Sequence, residues 1–298
     1  MAARPRIILT GAGGLIGRAL SRRLTELGYE VVPFRSRAEG PLAMNAARGT
    51  IDREALEGAA AVIHLAGESI AQRWSTAARE RILRSRRDGT RLLAETLAQL
   101  RGKPGCFISM SGANRYGICR PERLHEQSSV SEDSFLGLVA KEWEDATLPA
   151  QRAGIRTVLL RTGMVLAASG GALRAMLPAF RLGLGGPLGS GRQQISWIRL
   201  GELVELIIWI LGHHSIRGPL NAVAPSPVSQ GEFARTLGRA LGRPAFLPTP
   251  AWLLSLLLGQ MARETVLSDL AVIPAPPLRQ ALASPRSEEH TSELKSQR

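Results

Sequence analysis

A glycine-rich segment near the amino terminus, TGAGGLIG over residues 10–17, has the clearest chemical meaning in the chain. It directly follows a short apolar strand and opens a predicted helix. In that position Gly11 permits a tight turn, Gly14 lets the backbone approach a pyrophosphate, and Gly17 lets the helix pack closely on the strand. The helix amino terminus offers free N–H groups and a positive dipole to phosphates. The segment predicts a dinucleotide site, and the alternative is a glycine-rich turn with no ligand. We assign to the site Gly11, Gly14, Leu15, Ile16 and Gly17.

The end of the second predicted strand indicates which dinucleotide is bound. It reads FRSR over residues 34–37, where an NAD site would carry an acidic residue for the ribose hydroxyls. An arginine guanidinium instead binds a 2′-phosphate through charge-assisted hydrogen bonds. Arg35 and Ser36 therefore predict NADP rather than NAD as the cofactor. The alternative is that two arginines mean little in an arginine-rich chain.

Strand-like and helix-like segments alternate along the first half of the chain, which implies βαβ units and a parallel sheet. The strands are nearly continuous apolar runs, as expected when helices cover both faces of a sheet. We predict an α/β fold with a doubly wound parallel sheet. The predicted strands are Arg6–Thr10, Tyr29–Phe34, Ala61–Leu65 and Cys106–Met110, and the predicted helices are Leu15–Leu27 and Ser75–Leu100. After Arg161 the pattern becomes irregular and glycine-rich, then helical again around Leu200–Leu211 and Gln230–Leu241, which indicates a smaller substrate-side lobe.

Several longer stretches resemble one family of proteins. The TGxxGxxG motif, together with HLAG over residues 64–67, is similar to the extended short-chain dehydrogenase/reductases. The stretches LAGESIAQRW, SRRDGTRLL, LLRTGMVL, MLPAFRLGLGGPLGSGRQQISWI and GPLNAVAPSPV closely resemble an atypical group of these, the "epimerase family proteins" (YfcH-like), within the NAD-dependent epimerase/dehydratase superfamily. This resemblance spans residues 6 to about 283. It implies a Rossmann-type fold, NADP binding and a small carboxyl-terminal domain of unknown function.

The resemblance also assigns cofactor contacts to individual residues. It places at the cofactor the three glycines of the loop, the residues after the second strand, the LAG segment, the arginine of SRRDGT and a residue of LLRTGMVL. On this chain these are Gly11, Gly14, Gly17, Arg35, Ser36, Leu65, Ala66, Arg86 and Val165. The family usually has arginine where Ser36 stands, so a flanking arginine must serve here. Residues 44–46 read MNA in place of the family's WDP, and WIRLGEL over residues 197–203 replaces its WIHIDDL.

Catalytic short-chain dehydrogenases use a tyrosine that exchanges a proton with the substrate, a lysine four residues later and a serine. Lys141 stands at the lysine position, but the tyrosine position is Gly137. Ser111, at the end of a strand, stands where the catalytic serine is expected. Tyr116 follows in a loop at the carboxyl end of the sheet and is the best replacement phenol. We therefore predict Ser111, Tyr116 and Lys141 as catalytic residues, with the alternatives that Tyr116 anchors a loop, Ser111 caps the strand and Lys141 is solvated.

Composition and terminal features exclude several classes of protein. The formal charge is +13, and nearly all the positive charge is arginine. The densest arginine cluster steps round a predicted helix and forms no stripe along it, which disfavours nucleic acid as a partner. The histidines form no cluster, so we predict no metal. The apolar runs 203–211 and 251–258 are shorter than the roughly 20 residues of a membrane span. The amino terminus has no signal-peptide pattern, and two cysteines make no disulfide framework. We expect a cytoplasmic protein with no membrane partner.

The predicted domain organisation has four parts. Residues 1–165 form the NADP-binding Rossmann domain, and residues 166–247 a substrate-side lobe interleaved with it. Residues 248–285 are a truncated carboxyl-terminal domain, and residues 286–298 (RSEEHTSELKSQR) resemble the translation of a sequencing adapter. By resemblance we also expect a homodimer formed through two long helices, near Ser75–Leu100 and Phe135–Arg152.

Two functions follow from these residues and stay open at this point. The first is an NADP-dependent oxidoreductase or epimerase/dehydratase that acts on a small substrate, either free or nucleotide-linked. The retained Ser111 and Lys141 favour it. The second is a catalytically silent NADP-binding protein that senses or regulates, and Gly137 favours that one.

Overall fold

The computed structural model of this chain describes residues 4–275. Strands and helices alternate through the first half of the chain. The strands are the apolar runs of the sequence, and the helices are its amphipathic segments. The elements of this half are β1 (Arg6–Thr10), α1 (Leu15–Glu26), β2 (Glu30–Ser36), β3 (Ala43–Asn45), β4 (Thr50–Ile51), β5 (Ala61–His64), α2 (Thr76–Gln99), β6 (Cys106–Gly112), β7 (Cys119–Leu124), α3 (Phe135–Asp145) and α4 (Leu148–Arg152).

The second half contributes two more strands to the central sheet and builds most of a lobe. Its elements are β8 (Thr157–Thr162), β9 (Met164–Leu166), α5 (Gly171–Arg181), β10 (Gln194–Ile195), β11 (Trp197–Arg199), α6 (Leu200–Gly212), β12 (Gly218–Ala222), β13 (Val228–Ser229), α7 (Gln230–Leu241), α8 (Ala251–Leu258), α9 (Gln260–Glu264) and β14 (Asp269–Val272).

The central sheet has the strand order β12-β8-β6-β5-β1-β2-β3-β4. Its pairs are parallel except β3–β4, which is antiparallel. The chain runs outward from β1 through β2 and β3, then returns to β5 on the other side of β1. This reversal is the switch point of a doubly wound sheet, where a crevice opens at the carboxyl ends of the strands. The predicted fold class is confirmed.

Alternate residues of β1 face two separate cores, as the pleat of a strand requires. Ile7 and Leu9 pack with α1 and α6, whereas Ile8 packs with α2 on the opposite face. All three side chains are buried. Burial of each contributes roughly 1.5–3 kcal/mol to folding. Helices on both faces therefore explain why the strand is continuously apolar.

The helix predicted near Phe135–Arg152 is wrong as a single element, because the chain divides it into α3 and α4. Pro149 stands near the start of α4. Proline has no N–H to donate to the carbonyl group four residues earlier, here that of Asp145 at the end of α3, and this favours a break between α3 and α4. The predicted homodimer stays a prediction. By contrast, α2 matches its prediction within one residue at each end, and the Ser75 hydroxyl caps it by accepting from the Ala78 N–H at 3.2 Å.

Among the described residues, three two-stranded ladders lie outside the central sheet. Strand β9 pairs with β11, β10 with β13, and β14 with β7. The Thr249 N–H donates to the Pro187 carbonyl oxygen at 2.8 Å, which joins residues after position 247 to the glycine-rich segment. The predicted domain boundaries stay a prediction. Residues 276–298, which include the adapter-like tail, lie outside the described residues.

Candidate functional site

The glycine loop between β1 and α1 is shaped by two close approaches of the backbone. Gly11 has φ +71°, and a Cβ there would lie 2.8 Å from the carbonyl carbon of Leu65. A Cβ on Gly17 would overlap the carbonyl oxygen of Gly11. The Gly14 N–H donates to the same oxygen at 3.0 Å and closes the turn. Glycine is therefore required at 11 and 17 by the fold itself.

Gly14 differs from these two glycines. A Cβ there would lie 3.2 Å from the Gly11 carbonyl oxygen, which is tight but accessible with a small shift. Among the described residues no side chain caps this residue, and the first turn of α1 carries no acidic group. The amino terminus of a 12-residue helix therefore presents its free N–H groups and positive dipole at the crevice. That arrangement suits a phosphate group.

The segment after β5 forms the opposite wall of the crevice. The Thr10 hydroxyl accepts from the Ala66 N–H at 3.3 Å and is hydrogen-bonded to His64 Nδ1 at 2.7 Å. Burial, together with the positive charge of Arg86, lowers the pKa of His64 to about 4. His64 is therefore neutral at physiological pH, and it holds the carboxyl ends of β1 and β5 together.

Arg86 supports this wall from α2. Its guanidinium donates to the Glu68 carbonyl oxygen at 2.9 Å and lies 4.9 Å from the centre of the Trp143 ring. A Cβ on Gly67 would lie 3.2 Å from the Arg86 Cζ, so the backbone passes directly over the guanidinium. Burial lowers the pKa of Arg86 to about 10, and the charge of Glu68 opposes that effect.

The residues predicted after β2 reach the same crevice. The Arg35 side chain donates to the Pro41 carbonyl oxygen at 3.0 Å, and Ser36 is exposed. Arg37 has a positive φ of 64° and forms an ion pair with Glu68 on the opposite wall. Leu65, Ile16 and Val165 pack against one core below the loop. The structure therefore brings the predicted cofactor residues to one end of the sheet. Which of them contact a cofactor stays a prediction.

The predicted catalytic serine and tyrosine lie in a buried polar network instead of an open cleft. The Ser111 hydroxyl donates to Glu144 Oε1 at 2.8 Å. The Tyr116 hydroxyl donates to Asn221 Oδ1 at 2.8 Å and accepts from Arg161 Nη1 at 3.1 Å. Tyr116 is fully buried, and burial raises the pKa of its phenol. This geometry does not favour Tyr116 as a proton donor, because its hydroxyl already has both partners and no access to a ligand.

Arg161 and Glu144 form the centre of this network. Arg161 Nε and Nη2 each donate to one carboxylate oxygen of Glu144 at 2.8 Å, the bidentate geometry of a strong ion pair. Arg115 lies 3.6 Å from the same carboxylate. The Ser111 hydroxyl therefore donates to a carboxylate that two arginines already hold.

Lys141 and Gly137 lie on α3, the helix that also carries Glu144. Lys141 Nζ is paired with Asp145 at 2.9 Å, and that hydrogen bond raises the pKa of Lys141. A Cβ on Gly137 would lie 2.9 Å from Ser134 Oγ and 3.0 Å from the Ser131 carbonyl oxygen. Position 137 is therefore closed by its neighbours, and a tyrosine there would have to displace them.

A family model described as "NAD dependent epimerase/dehydratase family" matches residues 7–221, which hold the sheet and the glycine loop. The chain belongs to this family. It is also 36% identical over 273 residues to an epimerase family protein of Mycobacterium leprae, covering 90% of this chain and 88% of that protein. The human epimerase family protein SDR39U1 is 36% identical over 276 residues, covering 90% and 92% of the two chains. The family resemblance stated from the sequence is confirmed.

Two solved structures extend the comparison for this epimerase/dehydratase family member. The crystal structure of human SDR39U1 with NADPH superposes with a TM-score of 0.81 at 33% identity, covering 93% of each chain. A structure described as the nucleoside-diphosphate sugar epimerase from Corynebacterium glutamicum superposes with a TM-score of 0.67 at 30% identity. It covers 99% of this chain and 68% of that one.

Other classes of site find no support in residues 4–275. No group of three or more His, Cys, Asp or Glu side chains could hold a metal ion there. Within the same residues, no helix is long and apolar enough to cross a membrane. The arginines of α2 are largely engaged within the molecule. Arg79 lies over Phe135, Arg81 pairs with Glu68, Arg84 with Glu80 and Arg87 with Asp88.

Sequence reasoning did not single out Glu68, Glu144 or Arg161. A signal existed for Glu144, because it lies seven residues after Gly137 on the buried face of α3. A carboxylate at such a position needs a buried partner. Arg161 likewise follows directly on the apolar strand residues 157–160. Glu68 shows no such pattern.

Proposed function

We propose that this family member binds NADP(H) in the crevice at the carboxyl ends of β1, β2 and β5. The observation that carries the proposal is the glycine loop, which has no room for a Cβ at Gly11 or Gly17 and leaves the amino terminus of α1 open. The loop and helix terminus would hold the pyrophosphate. Leu65, Ala66 and Val165 would line the groove, and Arg86 would hold its wall. When bound, the nicotinamide supplies or accepts a hydride.

NADP is preferred over NAD in this proposal. The end of β2 carries Arg35, Ser36 and Arg37 and no acidic residue for a free ribose hydroxyl. A hydrogen bond between charged groups contributes about 1.5–3 kcal/mol, which is about tenfold or more in affinity. The presence of NADPH in the similar human protein supports this choice.

The reaction we propose is that of an oxidoreductase or epimerase/dehydratase acting on a small substrate, with nucleotide-linked compounds as the class to test first. The substrate would enter between the sheet and the lobe of residues 166–247. The similarity to the Corynebacterium glutamicum protein named a nucleoside-diphosphate sugar epimerase supports that substrate class. Cys106 and Cys119 are both free thiols, which suits a reducing compartment such as the cytoplasm.

A second candidate is an NADP-binding protein that performs no turnover and acts as a sensor or regulator. The buried network favours it, because the hydroxyls of Ser111 and Tyr116 both donate to buried acceptors. The closed position at Gly137 favours it further. Under either candidate, cofactor binding by the glycine loop is the same.

Cofactor binding is tested with Gly14→Asp. The new carboxylate would stand where the pyrophosphate approaches the helix terminus, while its Cβ fits with a small shift. Calorimetry should show loss of NADPH binding by at least tenfold with the thermal unfolding midpoint nearly unchanged. Gly212→Asp is the matched control, since nothing lies within 4 Å of a Cβ there and the residue ends α6, away from the loop. NADPH binding retained in folded Gly14→Asp would contradict the proposal.

The two candidates are separated with protein loaded with stoichiometric NADPH. A panel of nucleoside-diphosphate sugars and their keto derivatives is added, and the absorbance of reduced nicotinamide and the mass of the products are followed in a single turnover. Oxidation of the cofactor or a change in sugar configuration supports the enzyme. A protein that binds NADPH tightly, but converts no member of the panel, supports the sensor.

A further inference from the structure

An ion pair crosses the crevice at the end where the adenosine of a dinucleotide would lie. Arg37 follows β2, and Glu68 follows β5, on the two walls beside β1. Arg37 Nη2 donates to Glu68 Oε2 across this gap. In doubly wound folds, the 2′ position of the adenosine ribose lies at the end of the second strand. The ion pair therefore occupies the region of the proposed 2′-phosphate.

Glu68 is held in place much more firmly than Arg37. Its side chain is 18% exposed, against 63% for Arg37. The Glu68 N–H donates to Ser85 Oγ at 2.9 Å, and its carboxylate accepts from Gln72 Nε2 at 3.2 Å. The hydrogen bond from Arg37 lowers the pKa of the Glu68 carboxyl, so the group is an anion at neutral pH. A mostly buried carboxylate thus pairs with a largely exposed guanidinium.

We propose that Glu68 is a specificity-determining residue, an internal anion that competes with the 2′-phosphate of NADP(H) for Arg37. This inference rests on the proposed NADP(H) binding. Glu68 acts in two ways, and both lower the affinity for NADP(H). Its carboxylate must release Arg37 before the guanidinium can bind the phosphate, and it repels the phosphate charge nearby. Both effects weaken NADP(H), and neither weakens NAD(H), which has no phosphate at the 2′ position. Glu68 therefore reduces a preference that Arg35 and Arg37 create.

The test measures dissociation constants of Glu68→Gln by calorimetry at low ionic strength, with NADPH, NADH, adenosine 2′,5′-bisphosphate and ADP. Glutamine keeps the shape and the loop contacts of Glu68 but carries no charge. We expect NADPH and the bisphosphate to bind about three- to tenfold tighter than to the unmodified protein, in line with the weak net energy of exposed ion pairs. NADH and ADP should stay within twofold. Glu80→Gln is the matched control, because Glu80 also pairs with an arginine, but on α2 and with its side chain 54% exposed. Glu80→Gln should leave the affinities for all four ligands unchanged.

A second variant shows whether the effect passes through Arg37. Arg37→Gln should remove most of the preference for NADPH, and adding Glu68→Gln to it should then change NADPH affinity by less than twofold. An equal loss of affinity for all four ligands in Glu68→Gln would overturn the inference, since Glu68 would then only order the loop. Unchanged affinities would overturn it as well. If the unmodified protein binds no dinucleotide at all, the proposed function itself fails, which the same titrations distinguish.

Discussion

The buried pair of Glu144 and Arg161 should be the most sensitive polar contact in the protein. The two side chains are 9% and 6% exposed, and they share two hydrogen bonds of 2.8 Å. Glu144→Gln removes the negative charge and leaves the Arg161 guanidinium buried with a neutral neighbour. Breaking a buried pair from one side typically costs about 3–5 kcal/mol, because the remaining charge has lost its counter-ion.

The loss should appear in urea unfolding, monitored by tryptophan fluorescence, as a lower midpoint urea concentration. The dependence of the free energy of unfolding on urea concentration should stay unchanged. In thermal unfolding the loss corresponds to a midpoint lowered by roughly 5–8 °C for a chain of 298 residues. Glu205→Gln is the control. Glu205 pairs with Arg23 at 2.7 Å on the surface, with both side chains more than a third exposed, so its loss should cost less than about 1 kcal/mol.

The origin of the cost can be checked with a double variant. Glu144→Leu combined with Arg161→Met removes both charges, and it should recover more than half of the stability lost in Glu144→Gln. If Glu144→Gln costs no more than the surface control, the pair is not desolvated as the structure shows, and the reasoning is wrong. A double variant no more stable than Glu144→Gln would show that shape, and not charge, sets the cost.

Two further predictions concern His64 and Tyr116. His64 has its pKa lowered from 6.5 to about 4 by burial. Its neutral form therefore contributes stability that is present above about pH 6.5 and is lost as the pH falls from 6.5 towards 4, by about 2 kcal/mol between pH 7.5 and 5. Unfolding of His64→Gln across this window should show a correspondingly smaller pH dependence, and curves parallel to the unmodified protein would refute the assignment. Tyr116→Phe should lower stability by about 1–3 kcal/mol, since Asn221 and Arg161 lose a buried partner, with NADPH affinity within twofold. Full loss of turnover on a verified substrate, with stability unchanged, would instead restore Tyr116 as the proton donor.

The sequence by itself determined the features that depend on local spacing. The strand Arg6–Thr10 and the helix Gln230–Leu241 were predicted at their observed bounds. Gly11 and Gly17 were predicted from the turn and the helix packing that follow a strand, and the structure shows the same two constraints. Such features can be read locally because the backbone geometry of a strand, a turn and a helix start is set by residues within a few positions of one another.

Only the tertiary structure decided which polar side chains meet. Tyr116 finds its partner in Asn221, 105 positions away, and Arg37 meets Glu68 across 31 positions. The sequence placed Tyr116 correctly near the carboxyl end of β6, but not the direction of its hydroxyl. That direction depends on β8 lying beside β6 and β12 beside β8. It also depends on a buried hydroxyl needing both a donor and an acceptor. Pairing between distant elements is set by the packing of the whole sheet, which local spacing does not encode.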